Sequence, residues 1–253
     1  MQPILFYDIP FQVVGETWSP NTWRTRYSLN YKNLPYTTIW VEYPDIAALY
    51  TETLRIPPST TLKSGKPYYS LPVIHDPNTG ETVSDSMRIA EYLDKTYPSS
   101  GAGPIIPAGT RVLQQTFQVA YDHISTPMVP IIIPRIPAVL NPRSREYFLR
   151  TREVSFGKPL AEVLPKGEEH TAKWAETKAA FAKIDGWIQA SGGPFMMGDI
   201  VSLADFVVAG EMHWVRIALG ADSDEWKEWA EWNDGRWAKL LANLEKYEGQ
   251  DNL

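Results

Sequence analysis

The sequence predicts an α/β domain with a mixed four-stranded sheet over residues 1–98, then an all-α domain over residues 109–253, joined by a linker at 99–108. Three observations predict it. Up to residue 98 the apolar pattern switches between strict alternation and a helical period. After residue 109 only the helical period persists. Between them lies "SSGAGPIIPA", built from residues that punctuate secondary structure rather than extend it.

Taken in order, residues 4–9 read as a strand and residues 10–18 as a loop. Residues 20–32 predict a helix, with Trp23, Tyr27 and Tyr31 on one stripe. Residues 36–41, with Thr, Thr, Ile, Trp and Val, predict a second strand. Residues 45–55 predict a second helix, capped by Asp45 or Pro44, and 57–66 a polar loop. "LPVI" at 71–74 is a third strand, "DPNTG" a turn, 81–83 a fourth strand and 86–97 a helix. One parallel βαβ unit followed by an antiparallel hairpin is a thioredoxin-like order. In the second domain, helices are expected at 110–125, 143–156, 171–191, 202–219 and 224–247, the last broken near Gly235. The stretch 127–142, "PMVPIIIPRIPAVLNP", holds too many prolines for one regular helix. It reads as a packed connection or as the lining of a hydrophobic site.

Lys plus Arg total 24 against 30 Asp plus Glu, a net charge of −6, and 43% of the chain is hydrophobic. A packed core is expected and wholesale disorder is not. A mildly acidic chain with no basic run argues against nucleic acid as the main partner. No cysteine is present, which excludes disulfides, a protein thiolate and zinc–thiolate sites. The start lacks the features of a signal peptide, and no apolar run is long enough to span a membrane, so a cytoplasmic location is expected. His75, His123, His170 and His213 show no metal-ligand spacing, and no metal is expected. GxGxxG, Walker A and GxSxG motifs are absent, which removes nucleotide-binding and serine-hydrolase readings.

Three places carry candidate chemistry. Ser19 directly precedes Pro20 at the start of the first helix, the pattern of a plain N-cap. It also stands beyond the carboxyl end of the first strand, where such sheets bind ligands and a helix N-terminus attracts anions. There its hydroxyl could donate to a thiolate and lower the thiol pKa, which is ~8.5 when free. Pro72 opens a strand, as an ordinary edge proline or a cis proline that leaves the Leu71 N–H and C=O free for a peptide-like ligand. Asp85 and Ser86 begin the third helix, as caps or as a pair for a free amino-acid group.

These motifs in this order, "SPNTWRTRYSLNYK", "LPVI", "DSMRIAEYLDKTYP" and "GDIVSLADFVVAG", resemble the cytosolic glutathione transferases over nearly the whole chain. "ALYTETLRIPPSTT" with "KPYYSLPVI" looks most like the fungal-specific class A branch, relatives of bacterial β-etherases. The resemblance implies a glutathione S-transferase, with glutathione as co-substrate. It implies Ser19 as the catalytic hydroxyl on the glutathione thiolate, Leu71 before a cis-Pro72 on the cysteinyl part, and Asp85 and Ser86 on the γ-glutamyl end. Lys63 or Lys66 would meet the glycine carboxylate. A homodimer is implied as well. Omega-type relatives carry Cys at the position of Ser19, in a C-P-x-x-x-R-x-R pattern. Without a cysteine, mixed-disulfide exchange through the protein is excluded, while conjugation, peroxide reduction and ether cleavage by glutathione itself remain.

Phe11, Trp18 and Tyr121 are the candidates for contact with a hydrophobic, aromatic second substrate. Trp226, Trp229 and Trp232 read as a packed helix face rather than a stacking site. "SLADF" at 202–206 reads as a capping arrangement of Ser202 and Asp205 with a folding role. The alternative function is a ligandin, which would store plant-derived polyphenols or glutathionylated aromatics with little turnover.

Overall fold

The computed structural model describes residues 1–13 and 16–249. The first domain holds β1 (Ile4–Asp8), α1 (Pro20–Tyr31), β2 (Tyr36–Trp40), α2 (Ile46–Ala48), β3 (Thr60–Thr61), β4 (Pro67–Tyr68), β5 (Val73–Asp76), β6 (Glu81–Ser84) and α3 (Ser86–Thr96). The main sheet has the order β2-β1-β5-β6. β1 and β2 are parallel, with α1 crossing between them, and β5 is antiparallel to both β1 and β6. This is the expected mixed four-stranded thioredoxin-like sheet. The "DPNTG" turn closes with Gly80 donating its N–H to the Asp76 carbonyl at 2.8 Å, at a φ of 80° that suits glycine. The Asp76 carboxylate then accepts from Tyr92 and Tyr97, at 2.7 and 2.5 Å, and pins α3 to the sheet.

The second domain is helical: α4 (Arg111–Ile124), α5 (Val129–Ile132), α6 (Pro142–Phe156), α7 (Leu160–Val163), α8 (Gly167–Ser191), α9 (Leu203–Leu219) and α10 (Asp224–Leu244). α9 is apolar almost all round, as a central helix must be, and is buried from Leu203 to Val215. Its start is held by Asp205, which accepts from the Ser202 N–H at 2.8 Å and the Ser202 hydroxyl at 2.9 Å. α10 breaks where expected, with Asn233, Asp234 and Gly235 all at positive φ. Before the break, Trp229 stacks on Trp232 at 4.6 Å with Phe181 edge-on, which makes the tryptophan repeat a packed face.

Expectations change in several places: the polar loop at 57–66 carries β3 and leads into β4, and the helix expected at 171–191 begins at Gly167. The predicted helix at 45–55 is an irregular helical path: a 3-10 turn at Tyr43–Asp45, the single turn α2, then a π turn at Leu49–Leu54 ending at Arg55 with φ 51°. Within it the Thr51 hydroxyl takes the Ala47 carbonyl at 3.0 Å, a side-chain bond that competes with regular helix. The third strand runs at 73–76 rather than 71–74, because Pro72 has no N–H to give the ladder.

Close packing joins the domains. A Cβ on Gly210 of α9 would lie 2.7 Å from the Pro20 carbonyl of α1, so glycine there permits the approach. Arg143 grips Asp45 through two bonds of 2.8 and 2.9 Å. At the chain's far end, Asn30 of α1 donates to the Tyr247 carbonyl at 2.9 Å, and Tyr27 to Glu248 at 2.9 Å.

Candidate active site

The site is built where β1 hands over to α1. Ser19 occupies the N-cap with extended backbone angles, φ −72° and ψ 129°, and Pro20 sets the first helical residue. Its carbonyl is engaged, accepting from Trp23 N at 3.0 Å and the Thr22 hydroxyl at 3.1 Å. Its hydroxyl makes no cap bond, although the residue is only 5% exposed. The neighbouring hydroxyl of Thr17 is taken instead: it lies 3.1 Å from that of Thr22, beside the buried Asp8 carboxyl. The free hydroxyl at the positive end of the α1 dipole is therefore that of Ser19.

Ser19 lines two cavities. The first, about 130 Å³, is shared with Ile9, Tyr69, Ser70 and Leu71. The Leu71–Pro72 peptide is cis. Tyr50 donates to the Ser70 carbonyl at 2.6 Å and the Ser70 N–H donates to Ser59 at 2.9 Å, so this turn is clamped. Neither the N–H nor the C=O of Leu71 pairs with the backbone of another described residue. Asp85 follows closely, its N–H donating to the Pro72 carbonyl at 3.3 Å. Asp85 has φ 82°, a costly value for a non-glycine residue, and its carboxylate caps α3 by accepting from Met87 and Arg88 N–H at 3.0 and 3.1 Å. Ser86 beside it is buried. Asp85 also lines a polar cavity of about 470 Å³ with Ser59, Arg111, Gln118 and Asp122.

The second cavity at Ser19, about 380 Å³, lies between the domains. Trp18, Tyr43, Phe148 and Trp214 give it an aromatic wall, and Arg24, Gln118, Asp122 and Glu211 give it a polar floor. Two arginines two positions apart on α1 diverge here. Arg26 turns to the sheet and donates to Asp8 at 3.3 Å and to Tyr36 and Thr38 at 3.1 Å. Arg24 turns to the cavity, is 4% exposed, and its Nε has no hydrogen-bond partner. Glu211 is 7% exposed, and burial pushes its carboxyl up to about 7, with Arg24 opposing and Asp122 adding to the rise.

Of the second-substrate candidates, Trp18 lines this cavity. Tyr121 is fully buried behind the cavity, with an unpartnered hydroxyl, while its neighbours Gln118 and Asp122 reach the surface of the cleft. Phe11 is buried in the core and lines none of the three cavities. Lys63 and Lys66 are exposed around the β3–β4 hairpin and line none of them either. The sequence reading gave no role to Arg24, Gln118, Asp122 or Glu211. The signal for Glu211 was available: it is a lone acid inside the apolar run "FVVAGEMHWV".

The chain matches the descriptions "Glutathione S-transferase, N-terminal domain" over residues 18–96 and "Glutathione S-transferase, C-terminal domain" over residues 112–247. The chain belongs to the glutathione S-transferase family. It is 33% identical to the glutathione S-transferase-like protein ustS of Aspergillus flavus, over 98% of this chain and 92% of that protein. It is 46% identical to a glutathione S-transferase of Ceriporiopsis subvermispora solved in complex with glutathione, with a TM-score of 0.93 and full coverage of both chains. The glutathione transferase GSTFuA3 of Phanerochaete chrysosporium is 39% identical, with a TM-score of 0.90 over 99% of each chain. Among the described residues no helix is long and apolar enough to cross a membrane, and no group of three or more His, Cys, Asp or Glu is gathered as a metal site.

Proposed function

We propose that this protein is a glutathione transferase in which Ser19 donates a hydrogen bond to the glutathione thiolate. The thiolate then attacks a hydrophobic, aromatic electrophile or a peroxide in detoxification. The observation that carries this reading is the uncommitted Ser19 hydroxyl at the meeting of two cavities. A free thiol of pKa ~8.5 is only a few per cent ionised at neutral pH, and a donor plus a helix dipole raise that fraction. Holding the two substrates side by side supplies the larger part of the acceleration.

In this reading Leu71 pairs its backbone with the cysteinyl unit, and Asp85 and Ser86 bind the γ-glutamyl end. The Ceriporiopsis structure in complex with glutathione supports glutathione as the co-substrate. Its 46% identity, with 39% to the Phanerochaete protein, supports the fungal class A assignment. The protein would act as a cytoplasmic homodimer, with peroxidase or etherase side activities. A ligandin role is a second reading, favoured by the aromatic wall of the interdomain cavity.

The test is the initial rate of conjugation to a small aryl halide, with glutathione binding followed by calorimetry. Ser19→Ala is expected to lower the rate about 100-fold with binding retained. Asp85→Ala is expected to weaken glutathione binding. Tight glutathione binding without turnover of any electrophile would favour the ligandin; equal rates for wild type and Ser19→Ala would remove Ser19 from the mechanism.

A further inference from the structure

The interdomain cavity holds charged groups that have no part in activating sulfur. Arg24 lies on α1 one turn beyond Pro20 and on the same face. Glu211 follows Gly210, whose close approach to the Pro20 carbonyl fixes α9 against that turn. The close approach of Gly210 to Pro20 thus sets both groups relative to Ser19. Arg24 and Glu211 are both more than nine-tenths buried, they line the cavity, and the Arg24 Nε has no hydrogen-bond partner. Such a cation costs desolvation energy unless a partner compensates it, and its matched neighbour Arg26 shows what compensation looks like.

We propose that Arg24 and Glu211 are catalytic groups for electrophiles whose oxygen takes up the electron pair as the bond to sulfur forms: Arg24 holds the developing oxyanion and Glu211 protonates it. This rests on the thiolate reading above. For an aromatic α,β-unsaturated ketone, a sulfur lone pair forms the C–S bond at the β-carbon. The C=C pair shifts to give an enolate, whose negative charge sits on oxygen beside Arg24. The Glu211 O–H bond breaks and its proton goes to that oxygen. The enol returns to the ketone in water, and the proton released by the next glutathione thiol restores Glu211. The sum is one glutathione added to one enone. Burial supports the assignment by keeping the Glu211 carboxyl partly protonated at neutral pH. The groups facing it are Arg24 from α1, Tyr121 and Asp122 from α4, and Arg152 from α6 in the same cavity.

The test compares conjugation of trans-4-phenyl-3-buten-2-one with that of 1-chloro-2,4-dinitrobenzene, which loses chloride and needs no proton. Glu211→Gln is expected to lower the ratio of enone to halide rates about 100-fold. Arg24→Met is expected to lower both rates, because in the halide reaction the negative charge develops on the nitro oxygens, so the ratio reads Glu211 alone. In the wild type the enone rate should fall as pH rises through Glu211's titration while the halide rate does not, and Glu211→Gln should lose that descending limb. An unchanged ratio in Glu211→Gln overturns the proposal. If that variant does not fold, the wild-type profiles decide, and coincident profiles for the two electrophiles overturn it. Halide turnover that depends on Ser19, with an unchanged ratio, overturns this inference alone; no turnover of either electrophile overturns both readings.

Discussion

Ser19 and Ser202 stand at the N-termini of two helices packed against each other, and they are used in opposite ways. Both have extended backbone and both are buried. Ser202 gives its hydroxyl and its N–H to Asp205. Ser19 holds its carbonyl in the first turn and leaves its hydroxyl uncommitted. Arg26 and Arg24 repeat the contrast one turn along: Arg26 is ion-paired to Asp8 in the sheet, while Arg24 lines the cleft with no ion pair among the described residues. A buried polar group with all its partners is architecture. One held rigid without them is available for chemistry.

The contrast can be broken by mutation. The largest effect on stability is expected from Arg26→Met, which leaves the fully buried Asp8 without its cation and should cost about 3–5 kcal/mol in urea unfolding. Arg24→Met should cost far less, and equal costs would collapse the distinction. Next is Asp205→Ala, which strips partners from the Met196 N–H and from the Ser202 N–H and hydroxyl, and should cost about 2–3 kcal/mol. Its activity per folded molecule should survive. Smaller still is a pH effect. Burial raises Asp205 to about 6 and Glu211 to about 7. Folded values above unfolded ones mean that their contribution is full below the ordinary carboxylate range and is lost as pH rises through about 6 and about 7. Denaturant titrations should show that Glu211→Gln removes the upper part of this loss. The smallest effect is Ser19→Ala on stability, under about 0.5 kcal/mol because no cap bond is lost.

Much of this was legible from residue order. Ser-Pro before an amphipathic stretch placed α1, and "SLADF" placed the start of α9, because capping chemistry is local. The break in α10 was legible from Gly235, while Asn233 and Asp234 at positive φ extend it. The path around α2 was not legible, since the switch to a π turn depends on how Tyr50 reaches Ser59 and Ser70. Arg24 stood inside a recognised motif, yet only the fold reveals that it and Arg26 face opposite sides of one helix. Phe11 read as a substrate contact from its nearness to Ser19 and Tyr121 from its place on the first long helix; both are buried and neither lines the interdomain cavity.

The most direct test of the central claim is the pKa of the glutathione thiol bound to the protein, followed by thiolate absorbance in wild type and Ser19→Ala, with thermal unfolding of both in parallel. The account predicts a bound thiol titrating well below the free value of ~8.5, a return toward that value in Ser19→Ala, and superimposable unfolding curves. An identical thiol pKa in the two proteins, with unfolding of the variant shifted by the loss of an ordinary cap, would contradict it and make Ser19 a helix cap alone.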